Sequence, residues 1–133
     1  QKMSKSYNNV IDIFLNDKLL RKQIMSIQTD SLSVESKKDA NTCNVYKIYQ
    51  LLSSEEDALT LYNKYAQGNF GYGHAKQELF KLICSKFSKE REKFNYLMNN
   101  KEIIDKELSL GAKKAKEIAN KVLKRVRTNI GYV

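Results

Sequence analysis

Proline is absent from the 133 residues, glycine occurs only five times and cysteine only twice. A chain so poor in both turn residues lacks the punctuation of a turn-rich all-β fold, and nothing in it interrupts long helices. Cys43 and Cys84 stand far apart without CxxC spacing, which argues against a disulfide framework or a zinc site. It predicts two reduced core thiols in a cytosolic protein. No apolar run reaches the roughly 20 residues of a membrane span, and no signal peptide opens the chain. Gln1 stands where a natural chain would carry Met, so the expectation is a piece of something longer.

What the sequence does have is apolar content and positive charge. With 41% apolar residues it can bury a core, and its length suits one domain of ordinary size. Lys and Arg number 24 against 15 Asp and Glu, a net charge of +9. That balance favours polyanionic partners such as nucleic acid or nucleotide phosphates.

Helical periodicity organises most of the chain. Gln1–Asn8 are polar and read as a loop. Ile11, Phe14, Leu15, Leu19, Leu20, Ile24 and Ile27 recur at helical spacing, which predicts a short helix near 9–15 and a longer one near 17–28. Asn16 or Asp17 can cap the second. Residues 29–40 lose the repeat and read as a surface connection. Val45, Ile48, Tyr49 and Leu52 predict a helix over about 41–52, followed by a capping box of Ser53 with Glu56 and a helix up to Ala66. Glycines 68, 71 and 73 stop that helix. Leu79, Phe80, Ile83, Phe87, Phe94 and Leu97 then predict one long helix running until Asn99, which can cap a segment reaching Gly111. A last helix near 112–130 carries Ala112, Ala115, Ile118, Ala119, Val122, Val126 and Ile130 on one side. The fold class is all-α, a bundle of about six helices preceded by a flexible loop.

Two stretches carry chemistry. Lys2-Met3-Ser4-Lys5-Ser6 sets two ammonium groups and two hydroxyls within five positions. Such an arm suits a triphosphate, because the cations offset charge growing on a pyrophosphate leaving group while hydroxyls and amides donate hydrogen bonds. By composition alone it is far more often a solvated tail, because Lys/Ser tails are common. The other stretch is residues 111–127, where Lys113, Lys114, Lys116, Lys121, Lys124, Arg125 and Arg127 face the single acid Glu117. A helix of that density can bind an RNA backbone without reading sequence, or it can be a solvated face. Both readings stand. Base-specific reading needs aromatics or amides that reach unstacked bases; Tyr46, Tyr72 and Gln50 have that chemistry and equally could pack or cap.

The string Lys2-Met3-Ser4-Lys5-Ser6 matches the signature loop of class I aminoacyl-tRNA synthetases. Thr29-Asp30-Ser31, Asn44 with Ile48-Tyr49-Gln50-Leu51-Leu52, Gly71-Tyr72-Gly73 with Lys76, and Gly111-Ala112 with Lys114-Ala115 and Ile118-Ala119 follow in order. Together they resemble the bacterial-type tryptophanyl-tRNA synthetase family over nearly the whole chain, rather than its tyrosine relative. The resemblance implies that residues 1–8 are the KMSKS catalytic loop of an absent nucleotide-binding domain. It implies that 9–133 form a helical, anticodon-binding-type domain. It assigns Lys2 and Lys5 to the phosphates of ATP, held as Mg-ATP, with Ser4 and Ser6 in support and Met3 near the adenine. It further implies tRNA and tryptophan as partners of the intact enzyme, a homodimer whose contact lies mainly in the absent part, and a fragment free to be monomeric. The loop would close over ATP as the helical domain moves.

The sequence departs from the family in two respects. Where the family carries proline in its 30s connection, Ser36-Lys37-Lys38-Asp39-Ala40 has none, which removes that source of rigidity. The βαβ units, the HIGH-type motif and the tryptophan pocket are not in these 133 residues, so the chain alone is not expected to catalyse aminoacylation.

Other residues read as structural. His74, the only histidine, has no ligand partner at metal spacing and suits a surface position at a helix start. Gly68, Gly71 and Gly73 follow a helix rather than a strand, as a turn does and a phosphate cradle does not. Glu55, Glu56 and Asp57 suit a helix dipole. Phe80, Phe87 and Phe94 read as core. The competing functional readings are a stand-alone basic helical RNA-binding module and a helical protein-interaction domain.

Overall fold

The structure, a computed structural model, describes residues 4–7 and 9–132. Six α-helices and two short 3-10 turns make up its regular structure, and among the described residues there is no strand. The all-α expectation is met. No described helix is long and apolar enough to cross a membrane. The helices are α1 (Asp17–Met25), α2 (Asn44–Leu52), α3 (Glu55–Gln67), α4 (Tyr72–Lys86), α5 (Ser88–Asn99) and α6 (Lys101–Asn129). The chain divides into two compact units, Gln1–Arg91 and Glu92–Val133, with the boundary inside α5.

The first unit has the core. Helix α1 packs on α4, α4 on α2, and α2 on α3. Leu20 and Ile24 of α1, Val45 and Tyr46 of α2, Leu61 and Tyr65 of α3, and Ala75, Leu79 and Ile83 of α4 are buried together. A spacing of four residues puts the sets of α1, α3 and α4 each on one helix face, while Val45 and Tyr46 are neighbours on α2. Each fully buried large side chain contributes roughly 1.5–3 kcal/mol. Tyr65 is completely buried and meets three rings, Tyr46 at 6.2 Å, Phe70 at 5.9 Å and Tyr72 at 5.8 Å. Phe80 and Phe87 pack against this core as partly buried side chains. Cys43 is buried and Cys84 half-buried, both as free thiols.

Basic side chains tie the helices together at their ends. Lys76 Nζ of α4 donates to the Met25 carbonyl at 3.0 Å, at the end of α1. Lys86 Nζ donates to the Leu52 carbonyl, the last of α2. Arg91 donates to the Ile13 carbonyl and pairs with Asp17 in the first turn of α1. A cation at a helix C-terminus satisfies a carbonyl without an intrahelical partner and complements the dipole.

Several boundaries differ from the periodicity. No helix forms over 9–15: the Asp12 carboxylate accepts from the Phe14 amide at 3.0 Å, closing a local turn. A short acidic side chain competes with helix in just this way. Ile11, Ile13 and Leu15 still pack on the core from this non-helical segment. Asn16, not Asp17, caps α1, accepting from Leu19 N at 3.0 Å. The capping box lies one residue later than Ser53 and Glu56. The Ser53 amide closes α2 on Tyr49 O, so Ser54 caps α3 and bonds Asp57 through both the amide and the carboxylate. The long helix expected up to Asn99 breaks at Phe87, whose backbone leaves helical geometry at ψ 21°. Asn99 ends α5, and the residue preceding α6 is Asn100, whose side chain donates to Tyr96 O rather than capping α6.

In the second unit, α6 runs straight through Gly111. One interior glycine costs about 0.5–1 kcal/mol relative to alanine, which 28 other helical residues outweigh. Glu102 in the first turn and Arg127 in the last complement the helix dipole. Glu102 with Lys106 and Glu117 with Lys121 stand at the i,i+4 spacing that adds roughly 0.2–0.5 kcal/mol per pair. Among the described residues, none of α5 or α6 is buried. Phe94, expected in the core, is exposed.

Gly68 ends α3 at φ +83°, and a Cβ there would lie 2.5 Å from the Glu35 carbonyl oxygen. Gly68→Ala is therefore expected to lower stability by more than about 1 kcal/mol. Gly73→Ala, inside α4 with open space around it, is expected to raise stability by about 0.5–1 kcal/mol. Urea midpoints of the two variants should move in opposite directions.

Candidate nucleotide loop and nucleic-acid interface

The amino-terminal motif is only partly within the described residues. Lys2 and Met3 lie outside them, as does Asn8. Ser4 and Ser6 are described, and the backbone of Lys5–Tyr7 forms a 3-10 turn. The Ser4 and Ser6 hydroxyls are 2.7 Å apart, and the Ser6 amide donates to Ser4 Oγ at 3.3 Å. Asn9 Oδ1 accepts from the Ser4 amide at 2.8 Å, and the Tyr7 amide closes on Ser4 O. The turn thus brings two hydroxyls side by side on an exposed segment. Hydroxyls that each donate one proton and accept through two lone pairs suit phosphate oxygens.

The 30s connection, without proline, is fastened by a buried cation. Lys38 is 5% exposed, and its ammonium donates to the carbonyls of Ser33 at 2.7 Å, Ser36 at 2.9 Å and Val34 at 3.2 Å. It also lies 5.4 Å from the centroid of the Tyr72 ring. Three carbonyls match the three ammonium protons, and the aromatic face adds a cation–π attraction. The Lys38 amide donates to Tyr65 O at 2.9 Å. From the other side, the Tyr72 hydroxyl donates to Asp30 Oδ2 at 2.8 Å. Asp30 and Tyr72, read in the sequence as parts of separate motifs, meet here. Lys38 was hidden in a charged run with nothing to distinguish it from Lys37.

Backbone hydrogen bonding, a bond from the Ser33 side chain and the nearby Lys38 charge hold the exposed Glu35 carboxyl below its ordinary range. Two phenols are shifted the other way. Burial, then the hydrogen bond with the Cys43 thiol, pushes Tyr65 far above the usual phenol value. Burial, then the bond to Asp30 and its charge, does the same to Tyr72.

The three candidate base readers separate. Tyr46 and Gln50 line one open cleft between α2 and α3, together with Asn41, Glu55 and Tyr62. Tyr72 lines another, with Asp30 and Asn44. Tyr62 and Glu55 were missed because one sits in an apolar stripe and the other in an acidic first turn. His74 is exposed, with its ring 5.8 Å from that of Phe70.

The seven basic residues of α6 within 111–127, Lys113, Lys114, Lys116, Lys121, Lys124, Arg125 and Arg127, are all exposed. At about 100° per residue they spread over one side of the helix, opposite the arc that holds Ala112, Ala115, Ala119, Val122 and Val126. This is a cationic ridge along the second half of α6. Its spacing can meet successive phosphates, and counterion release would drive binding.

Comparison with known proteins assigns the class first. Residues 1–88 match the family model for tRNA synthetases class I (W and Y), and the chain belongs to that family. It is 42% identical over 130 residues to the tryptophan–tRNA ligase of Campylobacter jejuni strain RM1221, covering 98% of this chain and 41% of the relative. It is 43% identical over all 133 residues to the tryptophan–tRNA ligase of Fusobacterium nucleatum, again covering 41% of the relative. The crystal structure of tryptophanyl-tRNA synthetase from Campylobacter jejuni superposes with a TM-score of 0.92 at 42% identity, over 98% of this chain and 42% of that one. A second structure of that enzyme, complexed with ADP and tryptophan, agrees equally well. The chain spans about two fifths of the length of the curated relatives it matches.

Because folding raises the Tyr65 and Tyr72 values above the ordinary 10.0, the unfolded chain loses those protons first as pH rises. Their contribution to stability is fully present below pH 10 and is lost progressively above it. The urea midpoint is expected to hold between pH 7 and 9 and to fall between pH 10 and 11. Tyr72→Phe should make that fall shallower.

Proposed function

We propose that the chain is the C-terminal part of a bacterial-type tryptophan–tRNA ligase, beginning at its KMSKS loop. The observation that carries this reading is the intact Lys2-Met3-Ser4-Lys5-Ser6 string at the head of a chain 42–43% identical along its length to tryptophan–tRNA ligases. The intact enzyme activates tryptophan with ATP and transfers it to tRNA. In this reading residues 1–8 belong functionally to the nucleotide-binding half, and residues 9–133 are the anticodon-binding-type helical domain. The parent works in the cytoplasm as a homodimer.

The donor set fits a nucleotide triphosphate. Lys2 and Lys5 supply positive charge to its phosphates, and the adjacent Ser4 and Ser6 hydroxyls supply hydrogen bonds. The family resemblance assigns Met3 to the neighbourhood of the adenine. Mg-ATP, when bound, supplies the electrophilic phosphorus and a pyrophosphate leaving group. The lysines stabilise charge as it moves onto that leaving group; they take no proton. Lys113, Lys114, Lys116, Lys121, Lys124, Arg125 and Arg127 hold the tRNA backbone.

Lys5→Ala in the full-length parent is expected to slow tryptophan-dependent pyrophosphate exchange by about 10²–10³-fold. An unchanged rate would remove Lys5 from this role. Replacing Lys121, Lys124 and Arg125 together by Ala in the 133-residue chain should flatten the dependence of log K on log salt by about 2–3 for RNA, one unit or slightly less per lost phosphate contact. An unaltered slope would leave the ridge as a solvated face.

A further inference from the structure

The turn that contains Lys5 is held from behind by the side chain of Asn9, whose Oδ1 accepts from the Ser4 amide at 2.8 Å and so ties residue 9 back to residue 4. We propose that Asn9 is a positioning residue for tryptophan activation. It acts through Ser4, fixing the turn over Ser4–Tyr7 in the shape that meets a triphosphate. The inference rests on the proposed reading of the motif as an ATP loop and names the residue that orders it. In the step concerned, a tryptophan carboxylate oxygen bonds to the α-phosphorus as the bond to the bridging oxygen breaks. Pyrophosphate leaves with that electron pair, and no proton moves.

Ser4 is the pivot of the turn, and each of its polar groups is engaged. Its carbonyl accepts from the Tyr7 amide at 3.1 Å. Its hydroxyl accepts from the Ser6 amide at 3.3 Å and lies 2.7 Å from the Ser6 hydroxyl. Its amide stands at the head of a helical turn, where an N–H finds no carbonyl within the turn itself. Asn9 supplies the acceptor. The short amide side chain of asparagine suits this task, because it reaches nearby backbone groups without a long, mobile stem. One proton lies between the two hydroxyls, which leaves the second hydroxyl proton to donate to an oxygen outside the turn.

An anchor works only if it is itself fixed. Asn9 stands where the chain leaves the core, since Ile11, Ile13 and Leu15 pack against the buried cluster. The Asp12 amide donates to Gln23 Oε1 of α1 at 3.0 Å, and the Ile13 carbonyl accepts from Arg91 of α5. Two helices thus grip the segment behind Asn9, and the bond to Ser4 extends that grip to the motif. Without it the motif would be a Lys/Ser tail hinged near Val10, and ATP would have to select one backbone shape among many. A turn ordered in the free protein removes that cost from nucleotide binding and holds its groups in register as charge grows on the leaving group. Asn9 is exposed, so its loss should disturb the turn and leave the core intact.

The test is tryptophan-dependent pyrophosphate exchange by the full-length parent. Asn9→Ala is expected to slow exchange about three- to tenfold, the worth of one hydrogen bond. The KM for tryptophan should stay within about twofold of the native value, and the urea midpoint should not move. In a protein that already carries Lys5→Ala, the same change should cost less than about twofold, because residues that act through one another are not additive. An equal loss in both backgrounds would overturn the inference, since it marks an effect independent of the lysine in the turn. A lowered midpoint with a raised KM for tryptophan would mark general damage and overturn it as well. Native exchange by Asn9→Ala beside slow exchange by Lys5→Ala would overturn the role of Asn9 and leave the reading of the motif in place. Native exchange by Lys5→Ala would remove that reading and this inference together.

Discussion

Tyr65 is the constraint around which the first unit is arranged. It is fully buried, so its hydroxyl needs a partner, and the Cys43 thiol at 3.5 Å supplies one. Its ring meets one aromatic from α2, one from the loop after α3 and one from the first turn of α4. Its carbonyl accepts from the Lys38 amide, which brings in the 30s connection. Four segments thus converge on one residue, α2 and the 30s connection from a distance in sequence and the other two from just beyond α3. A large-to-small change at such a point costs about 3–5 kcal/mol, because no single neighbour can move in without leaving the others.

The 30s connection shows the same economy in a different interaction. A loop that cannot use proline to restrict its backbone is held instead by an ammonium group donating to three of its own carbonyls. A buried lysine is ordinarily unfavourable. Here carbonyl dipoles and the Tyr72 ring face its charge. The bond from Tyr72 to Asp30 anchors the start of the same loop. The segment between α1 and α2 is in this way joined to α3 and α4, and the cleft lined by Asp30, Asn44 and Tyr72 follows from that joining.

Much of the architecture could be read from the chain. The buried faces of α1, α3 and α4 follow the four-residue spacing of Leu20 with Ile24, of Leu61 with Tyr65, and of Leu79 with Ile83. The errors were local competitions that periodicity does not register. Asp12 spends its side chain on a turn, Ser53 is used to close one helix before the next begins, and Phe87 breaks a helix whose apolar repeat passes through it unchanged. Gly111 misled in the opposite sense, because the flanking residues propagate a helix across it. In α6 the repeat correctly marked a helix, but it did not mark a buried one.

The sequence by itself determined the helical class, the +9 charge, the phosphate-suited motif at residues 2–6 and the cationic ridge of α6, because these depend on residue types and on spacings of a few positions. Tertiary structure alone decided that Lys38 lies buried beside Tyr72, that Asp30 meets the Tyr72 hydroxyl across 42 residues, and that Glu55 shares a cleft with Tyr46, Gln50 and Tyr62. Those meetings depend on how helices pack against one another, and a pattern confined to one helix carries no information about the face its neighbour presents.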